Sequence, residues 1–141
     1  MDIKDIKFKA KRLDNGEWVE GSLVKSYINS KDQTYIIPIF NRAGDIKTIE
    51  VNPSTVCMFT GLKDENGVEV YKNDIVRVDY GEEHIYNVEY DDYRFNLYNE
   101  YIPNDVMPLY VADTCYIYII GNKFDKREIR YERRNKKSCS S

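Results

Sequence analysis

The side chains that could carry out chemistry in this chain are mostly carboxylates, concentrated between residues 74 and 113. That segment contains ten acidic residues and only two basic ones. Glu89, Asp91 and Asp92 are close enough in sequence to be considered as paired carboxylates for acid–base catalysis. Successive residues of a strand point to opposite faces, however, so this spacing does not bring all three groups together. We therefore do not expect these carboxylates to form a catalytic pair.

Other groups that could bind a metal or act as a nucleophile are few. His84 is the only histidine, and its position in GEEHIYNVEY is typical of a half-exposed strand residue. Cys57, Cys115 and Cys139 lack CxxC spacing, which argues against a zinc knuckle or a disulfide framework and fits a reducing cytoplasm. The chain has no glycine-rich phosphate loop, HExxH or GxSxG motif. We therefore predict that the protein is not an enzyme and has no catalytic residue, metal site or cofactor.

The segment from Phe59 to Val76 contains a pattern that partly resembles a calcium-binding loop. If Gly67 were the sixth residue of such a loop, its first and twelfth residues would be Leu62 and Asn73, and both anchoring ligands would be missing. The dipeptide Asn66-Gly67 is better explained as a type I′ hairpin turn, because both residues accept a positive φ. We therefore expect this segment to be scaffold and not a binding site.

The elements that must position these groups are predicted to be strands. IKFKAKR alternates apolar and basic residues before a turn at residues 14–16, which predicts an N-terminal hairpin. IVRVDY, HIYNVEY and RFNLY have the same two-residue period and predict an antiparallel meander. Pro38 lacks an N–H group, so its strand is expected at a sheet edge or with a bulge. No helical repeat precedes residue 123.

These patterns predict a mainly β fold. It would consist of a small antiparallel β-barrel, SH3-like, packed with an N-terminal β-hairpin subdomain and followed by a short C-terminal helix or a disordered tail. The predicted divisions are residues 1–73, 74–122 and 123–141. The chain begins without the apolar segment of a secretory signal, and no run of about eighteen apolar residues is present. We therefore expect a cytoplasmic protein that does not bind membranes.

A resemblance to a known family rests mainly on the central segment TVCMFTGLKDENGVEVYKNDIV. This string resembles the shared segment of the YopX-type proteins of bacteriophages and prophages, and the opening IKFKAKRLDNGEWVEGSL and the late IIGN resemble the start and end of that family. The resemblance implies a small, β-rich phage accessory protein in the bacterial host cell, whose molecular function is not established. It brings no catalytic residues. The chain departs from the family pattern after Asn122, where its tail is longer and basic.

The first functional hypothesis is a protein-interaction module that binds a host or phage protein. Tyrosines contribute binding energy at interfaces, and clustered carboxylates attract a basic partner. In a variant of this hypothesis the carboxylates imitate the phosphates of a nucleic acid, and in the simplest alternative they are only a solvated surface. The candidate partner-binding residues are Asp79, Tyr80, Glu82, Glu83, Tyr86, Glu89, Tyr90, Asp91, Asp92 and Tyr93.

The second functional hypothesis is nucleic-acid binding through the basic tail. From Asn122 onward the chain has eight basic and three acidic residues, and small β-barrels often bind single strands. The tail could instead fold against the acidic body. The candidate nucleic-acid-binding residues are Lys126, Arg127, Arg130, Arg133, Arg134, Lys136 and Lys137. A homo-oligomer is also plausible, because exposed edge strands need protection.

Overall fold

The computed structural model of the protein describes residues 2–28, 31–38, 47–80, 82–110 and 116–125. The chain divides into two compact units, Met1–Gly61 and Leu62–Ser141. The strands are β1 (Phe8–Lys11), β2 (Trp18–Ile28), β3 (Lys31–Pro38), β4 (Ile49–Glu50), β5 (Cys57–Lys63), β6 (Glu69–Tyr71), β7 (Asp74–Tyr80), β8 (Glu82–Asp91), β9 (Arg94–Asn99), β10 (Val106–Pro108) and β11 (Tyr116–Asn122). Short 3-10 turns are also present, among them Ile3–Asp5 and Pro53–Thr55. Within the described ranges, no helix has the length and apolarity needed to cross a membrane.

The strands form two antiparallel sheets, so the predicted mainly β fold is confirmed. The first sheet has the order β4-β3-β2-β1-β5-β6, and β1 and β2 form the predicted N-terminal hairpin. Alternation along β1 buries Ala10 in a core with Ile36 and Val51. Gly21 lies where β2 passes between β1 and β3, and a Cβ there would be 1.8 Å from the carbonyl oxygen of Ile37. Only glycine allows this close pairing of β2 with β3.

The second sheet has the order β10-β9-β8-β7-β11, and it contains the predicted meander of β7, β8 and β9. The two-residue period places one apolar row of each strand on the same face. β10 and β11 are the edge strands and do not pair with one another in the order of strands, and the carbonyl of Ile117 in β11 accepts the N–H of Glu65 at 3.0 Å. The buried core of this unit consists of Val70, Val76, Val78, Tyr86, Val88, Leu97, Leu109 and Ile117.

Three expectations from the sequence are not confirmed by the structure. The compact units divide after Gly61, and Val70 is buried in the core of the second unit, while the predicted domain division after residue 73 stays a prediction. Pro38 is the last residue of β3, which is an inner strand of the first sheet and not an edge strand. Among the described residues, β4 pairs with Tyr35 and Ile36 of β3 and does not extend to Pro38. Of the predicted C-terminal helix or tail, residues 123–141, only 123–125 are described, and the rest lies outside the described residues.

The turn between β5 and β6 is organised by the side chain of Asp64. One oxygen of its carboxylate accepts hydrogen bonds from the backbone N–H groups of Asn66, at 2.8 Å, and Val68, at 2.9 Å. The other oxygen accepts the N–H of Ile119 in β11, at 3.0 Å. Asp64 is buried. A single side chain therefore shapes the turn and attaches it to the edge strand of the second sheet.

The expected type I′ turn at Asn66-Gly67 is wrong in its geometry, although a turn is present. Gly67 has a φ of 83°, but Asn66 is not among the residues with positive φ. The N–H of Gly67 donates to the carbonyl of Asp64, and the N–H of Asp64 donates to the carbonyl of Val68. This is the three-residue loop in which an ordinary turn is followed by a left-handed glycine. The Asp64 side chain favours it because its carboxylate satisfies two N–H groups of the loop.

A second buried carboxylate, that of Asp74, fixes the next turn. It accepts the backbone N–H of Tyr71 at 2.7 Å and the side-chain amide of Asn122 at 2.9 Å. Asn73 takes a positive φ of 77°, which asparagine tolerates better than most residues. The start of β7 is thereby joined to the end of β11. Both turns of the central segment are thus held by aspartates, which agrees with the expected scaffold role.

We predict that Asp64→Asn destabilises the protein by about 1–3 kcal/mol, because one backbone N–H would face an amide N–H₂ in place of an oxygen, leaving a buried donor unsatisfied. Urea denaturation of the full chain measures the change. Asp14→Asn is the matched control, since Asp14 is exposed and is paired with Arg12 at the surface, and exposed ion pairs contribute little. Equal unfolding midpoints for the two variants would contradict the role assigned to Asp64.

Candidate functional site

The β8–β9 hairpin has a two-residue turn whose backbone is unusual for its residue types. Asp91 pairs with Arg94 across the end of the hairpin, so Asp92 and Tyr93 form the turn. Their φ angles are 56° and 64°, which is the type I′ geometry that normally selects asparagine and glycine. Left-handed backbone costs an ordinary residue roughly 1–2 kcal/mol. The turn therefore stores strain that a more typical sequence would avoid.

The residue at the tip of this turn has the most exposed large hydrophobic side chain described in the second unit. Tyr93 is 94% exposed, and Tyr90, just before the turn, is 49% exposed and packs edge-on against Phe95 with ring centroids 5.0 Å apart. A ring exposed to this extent contributes little to the packing of its own unit. It presents apolar area and a hydroxyl to whatever approaches the hairpin tip.

A shallow groove of about 430 Å³ runs beside the hairpin. We refer to it as the acidic groove, and it is lined by Asn87, Glu89, Tyr90, Asp91 and Tyr98. The hydroxyl of Tyr98 donates a 2.5 Å hydrogen bond to the carboxylate of Asp91. Tyr98 lies directly across from Asn87 in the sheet, so its long side chain reaches along the groove towards the turn. The groove thus combines carboxylates with two tyrosine rings.

The electrostatics of the acidic groove are negative. The pKa of Tyr98 is raised, first because its hydroxyl donates to Asp91, then by partial desolvation, and then by the negative charges of Asp91, Asp92 and Glu89. Arg94, the nearest basic residue in the sequence, directs its Nε to the side-chain oxygen of Asn96 at 2.8 Å. Among the described residues, no lysine or arginine forms an ion pair with Glu89, Asp91 or Asp92.

The structure brings together about half of the predicted partner-binding residues. Tyr90, Asp91, Asp92 and Tyr93 are exposed at the hairpin, and Glu89 is half-buried beside them. Tyr80, Glu82 and Glu83 lie at the β7–β8 connection, at the opposite end of β8, where only their backbone is described. These predicted residues therefore form two separate groups, one at each end of β8.

Two of the predicted residues are buried and belong to the scaffold. Asp79 is 5% exposed and pairs with Arg77 at 3.3 Å. Tyr86 is fully buried, and its hydroxyl donates to Asp105 at 2.9 Å. A partner cannot reach either side chain in the folded protein. The candidate nucleic-acid-binding residues, Lys126 to Lys137, lie outside the described residues.

Sequence reasoning missed Tyr98 as a member of the site. Tyr98 lies beyond the contiguous acidic and tyrosine-rich run, and only the pairing of β8 with β9 places it beside Asp91. The alternation in RFNLY does predict that Tyr98 and Arg94 share a face. Combined with the two-residue loop, that alternation would have given the register and hence the contact.

Clustered metal ligands and accessible thiols are not found among the described residues. No group of three or more His, Cys, Asp or Glu side chains is arranged to hold a metal ion within these ranges. Cys57 is buried, and its thiol donates to the carbonyl of Thr55 at 3.3 Å. His84 lies partly buried on β8, as its sequence context indicated. What the described site offers is therefore an exposed tyrosine and a field of negative charge.

Comparisons with known proteins give one family and one fold. The model of the family described as "YopX protein" matches residues 7–129. Among solved structures, protein EF1440 from Enterococcus faecalis is similar with a TM-score of 0.50 and 24% sequence identity, over 83% of this chain and 92% of that chain. This second similarity concerns the fold alone. No curated protein matches the chain.

We predict that the double substitution Asp92→Asn/Tyr93→Gly stabilises the protein by about 1 kcal/mol or more, because Asn-Gly adopts the left-handed turn without strain. Urea denaturation of the full chain measures the change. Tyr93→Ala is the control, since alanine removes the ring but keeps a Cβ in the strained conformation. If the glycine variant is no more stable than the alanine variant, the turn is not strained.

A second prediction concerns the ionisation of Tyr98. Its pKa is raised in the folded protein, so the contribution of its hydroxyl is fully present at neutral pH and is lost as the pH rises through that raised value. Asp91→Asn should lower the pKa of Tyr98 towards the ordinary tyrosine value, because a charged acceptor is removed. Carbon-13 NMR of labelled tyrosine rings measures each pKa separately. An unchanged Tyr98 titration, with Tyr116 as the reference ring, would show that Asp91 does not control it.

Proposed function

The chain belongs to the YopX protein family, and we propose that it acts as a non-enzymatic protein-interaction module whose contact surface is the tip of the β8–β9 hairpin and the acidic groove. In this proposal the protein is a phage or prophage accessory protein that works in the cytoplasm of a bacterial host and binds a host or phage protein. The proposed contact residues are Glu89, Tyr90, Asp91, Asp92 and Tyr93, together with Tyr98.

The observation that carries the proposal is the conformation of Tyr93. Its side chain is 94% exposed at the tip of a turn in which both central residues have positive φ. Strained backbone is retained where the surroundings or a function require it, and nothing in the fold of the hairpin requires tyrosine at this position. Asparagine and glycine would form the same turn with less strain. A contact made by the Tyr93 ring explains why the chain has tyrosine there.

The charges next to Tyr93 favour a partner with a basic surface. Glu89, Asp91 and Asp92 lie within a few residues of the tip, and they have no ion-pair partner among the described residues. Clustered exposed carboxylates accelerate the approach of a positively charged protein, while aromatic rings supply most of the binding energy after contact. The same arrangement of charges also supports imitation of nucleic-acid phosphates as a variant of this function.

Nucleic-acid binding through the basic tail is the alternative function. Its support is the sequence alone: eight basic residues against three acidic ones from Asn122 onward. Contacts between such side chains and phosphates depend strongly on salt. The negative field of the acidic groove opposes a binding surface that extends beyond the tail. The finer description of residues 74–122 as an SH3-like barrel, and the formation of a homo-oligomer, are also proposals. The position of β10 at one edge of the second sheet supports the homo-oligomer, because an edge strand can pair with another copy of the chain.

Affinity capture from the bacterial host tests the proposed function. The full chain is used as bait beside Tyr93→Ala, with Tyr101→Ala as the matched control. Tyr101 is 65% exposed in the same unit, but it follows the other end of β9. We expect one or more host or phage proteins to be captured by the native chain and by Tyr101→Ala, and to be reduced about tenfold or more with Tyr93→Ala, as for an interface hot spot.

Nuclease treatment of the lysate distinguishes the alternative. If the captured material is lost on nuclease treatment, and is also lost when the arginines and lysines of residues 126–137 are replaced by glutamine, nucleic-acid binding by the tail is the better explanation. If the same proteins are captured by the native chain and by Tyr93→Ala, the hairpin tip is not the contact surface and the proposal is wrong.

A further inference from the structure

We propose that the basic tail of this chain, residues 126–137, occupies the acidic groove of its own second unit. This inference does not depend on the proposed function, because it concerns a contact within one chain. The occupant is specified by two independent features: the charges that line the groove, and the place where the described chain ends. Each can be examined separately.

Charge complementarity is the first feature. The acidic groove is lined by Glu89 and Asp91, with Asp92 beside it, and no described lysine or arginine forms an ion pair with any of these three. The negative charges of all three carboxylates act on the Tyr98 hydroxyl within the groove. Residues 126–137 contain seven lysines and arginines against two glutamates. This is the strongest concentration of positive charge in the chain, and the groove adjoins the strongest concentration of negative charge.

The route of the chain is the second feature. The backbone N–H of Lys123 donates to the carbonyl of Asn73 at 2.8 Å, and the N–H of Asn73 donates to the carbonyl of Val88 at 2.8 Å. Val88 lies between Asn87 and Glu89, which both line the groove. The backbone just after β11 is therefore linked through Asn73 to Val88, beside the near end of the groove. The chain reaches Asp125, the last described residue, after one further turn, closed by the N–H of Asp125 on the carbonyl of Asn122.

The remaining distance is short compared with the length of the tail. From β11 the order of strands runs through β7 to β8, which is two spacings of about 4.8 Å, and Asp91 lies three residues beyond Val88, about 10 Å further along β8, so Asp91 is roughly 14 Å from Lys123. An extended chain advances about 3.4 Å per residue, and about five residues therefore cover that distance. The basic residues from Arg130 onward are thus within reach of Glu89, Asp91 and Asp92.

Tail docking has a consequence for any partner of the groove. A protein that binds Tyr98 and Asp91 would have to displace the tail, so the intramolecular contact would lower its apparent affinity and favour partners that also bind the tail. Exposed ion pairs are weakened by salt, and docking would therefore be strongest at low ionic strength.

Zero-length carbodiimide cross-linking of the full chain, followed by peptide mass spectrometry of the monomer fraction, tests the inference. Lys126, Lys136 and Lys137 are the reporters, and the carboxylates of Glu89, Asp91 and Asp92 are the expected acceptors. At low salt, cross-links to these acceptors should exceed those to Asp14 and Glu17 of the first unit by about fivefold, and high salt should abolish the difference because it screens exposed charges. A uniform distribution over the acidic residues at low salt would overturn the inference.

Substitutions in the tail separate attraction from mere proximity. Replacing Arg127, Arg130, Arg133 and Arg134 by glutamine keeps the lysine reporters but removes most of the charge, so the groove cross-links should fall about fivefold. Replacing exposed Lys25, Lys31 and Lys47 of the first unit by glutamine is the control, and it should leave them unchanged. A one-to-one mixture of nitrogen-15-labelled and unlabelled protein, cross-linked and digested without isolating the monomer, completes the test. Cross-links that join labelled to unlabelled peptides would place the tail in another copy and overturn the proposed contact within one chain.

Discussion

The fold of the second unit depends on two buried aspartates that satisfy backbone N–H groups. Asp64 accepts the N–H groups of Asn66, Val68 and Ile119, and Asp74 accepts that of Tyr71. Buried N–H groups without an acceptor cost about as much as a lost hydrogen bond, and carboxylates are the strongest acceptors a side chain provides. The most distinctive segment of the sequence therefore has a structural purpose. It closes two consecutive turns and attaches them to β11, and the N–H of Asn73 joins the second turn to Val88 of β8.

The two ends of the β8–β9 pair are stabilised differently, and the strained backbone lies at only one of them. At the other end of β9, Asn99 accepts the N–H groups of Tyr101 and Ile102 through its side-chain oxygen and donates its amide to Asp105. Asp105 also accepts the hydroxyl of buried Tyr86. The turn between β9 and β10 is thus fixed by its own side chains, whereas the tip at Asp92 and Tyr93 is held from its flanks, where the side-chain amide of Asn96 donates to the carbonyl of Asp91 at 3.1 Å. The buried side chains of β8 and β9 set the register of the two strands, and this register leaves only Asp92 and Tyr93 to form the turn.

Much of this architecture could be predicted from local patterns, because the two-residue period and the turn residues act over short distances. The meander of β7, β8 and β9 and the N-terminal hairpin follow directly from alternation. Alternation does not show which face of a strand is covered, however. Asp79 and Tyr86 lie in the same tyrosine-rich and acidic run as Tyr93, yet their faces are buried at those positions. The burial of Val70 is a similar case, because it depends on strands that are distant in the sequence.

The distribution of tyrosines shows why residue type alone cannot define the site. Tyr86 has its ring in the core and its hydroxyl on Asp105, so it serves packing and the β9–β10 turn together. Tyr98 has its hydroxyl on Asp91 at the surface, where the same kind of bond organises the groove. Tyr93 belongs to neither arrangement, and its backbone conformation is one that tyrosine adopts at a cost. Neither burial nor relief of strain accounts for a tyrosine at this position, and for this reason the proposed contact surface is centred on the hairpin tip and not on the acidic charge around it.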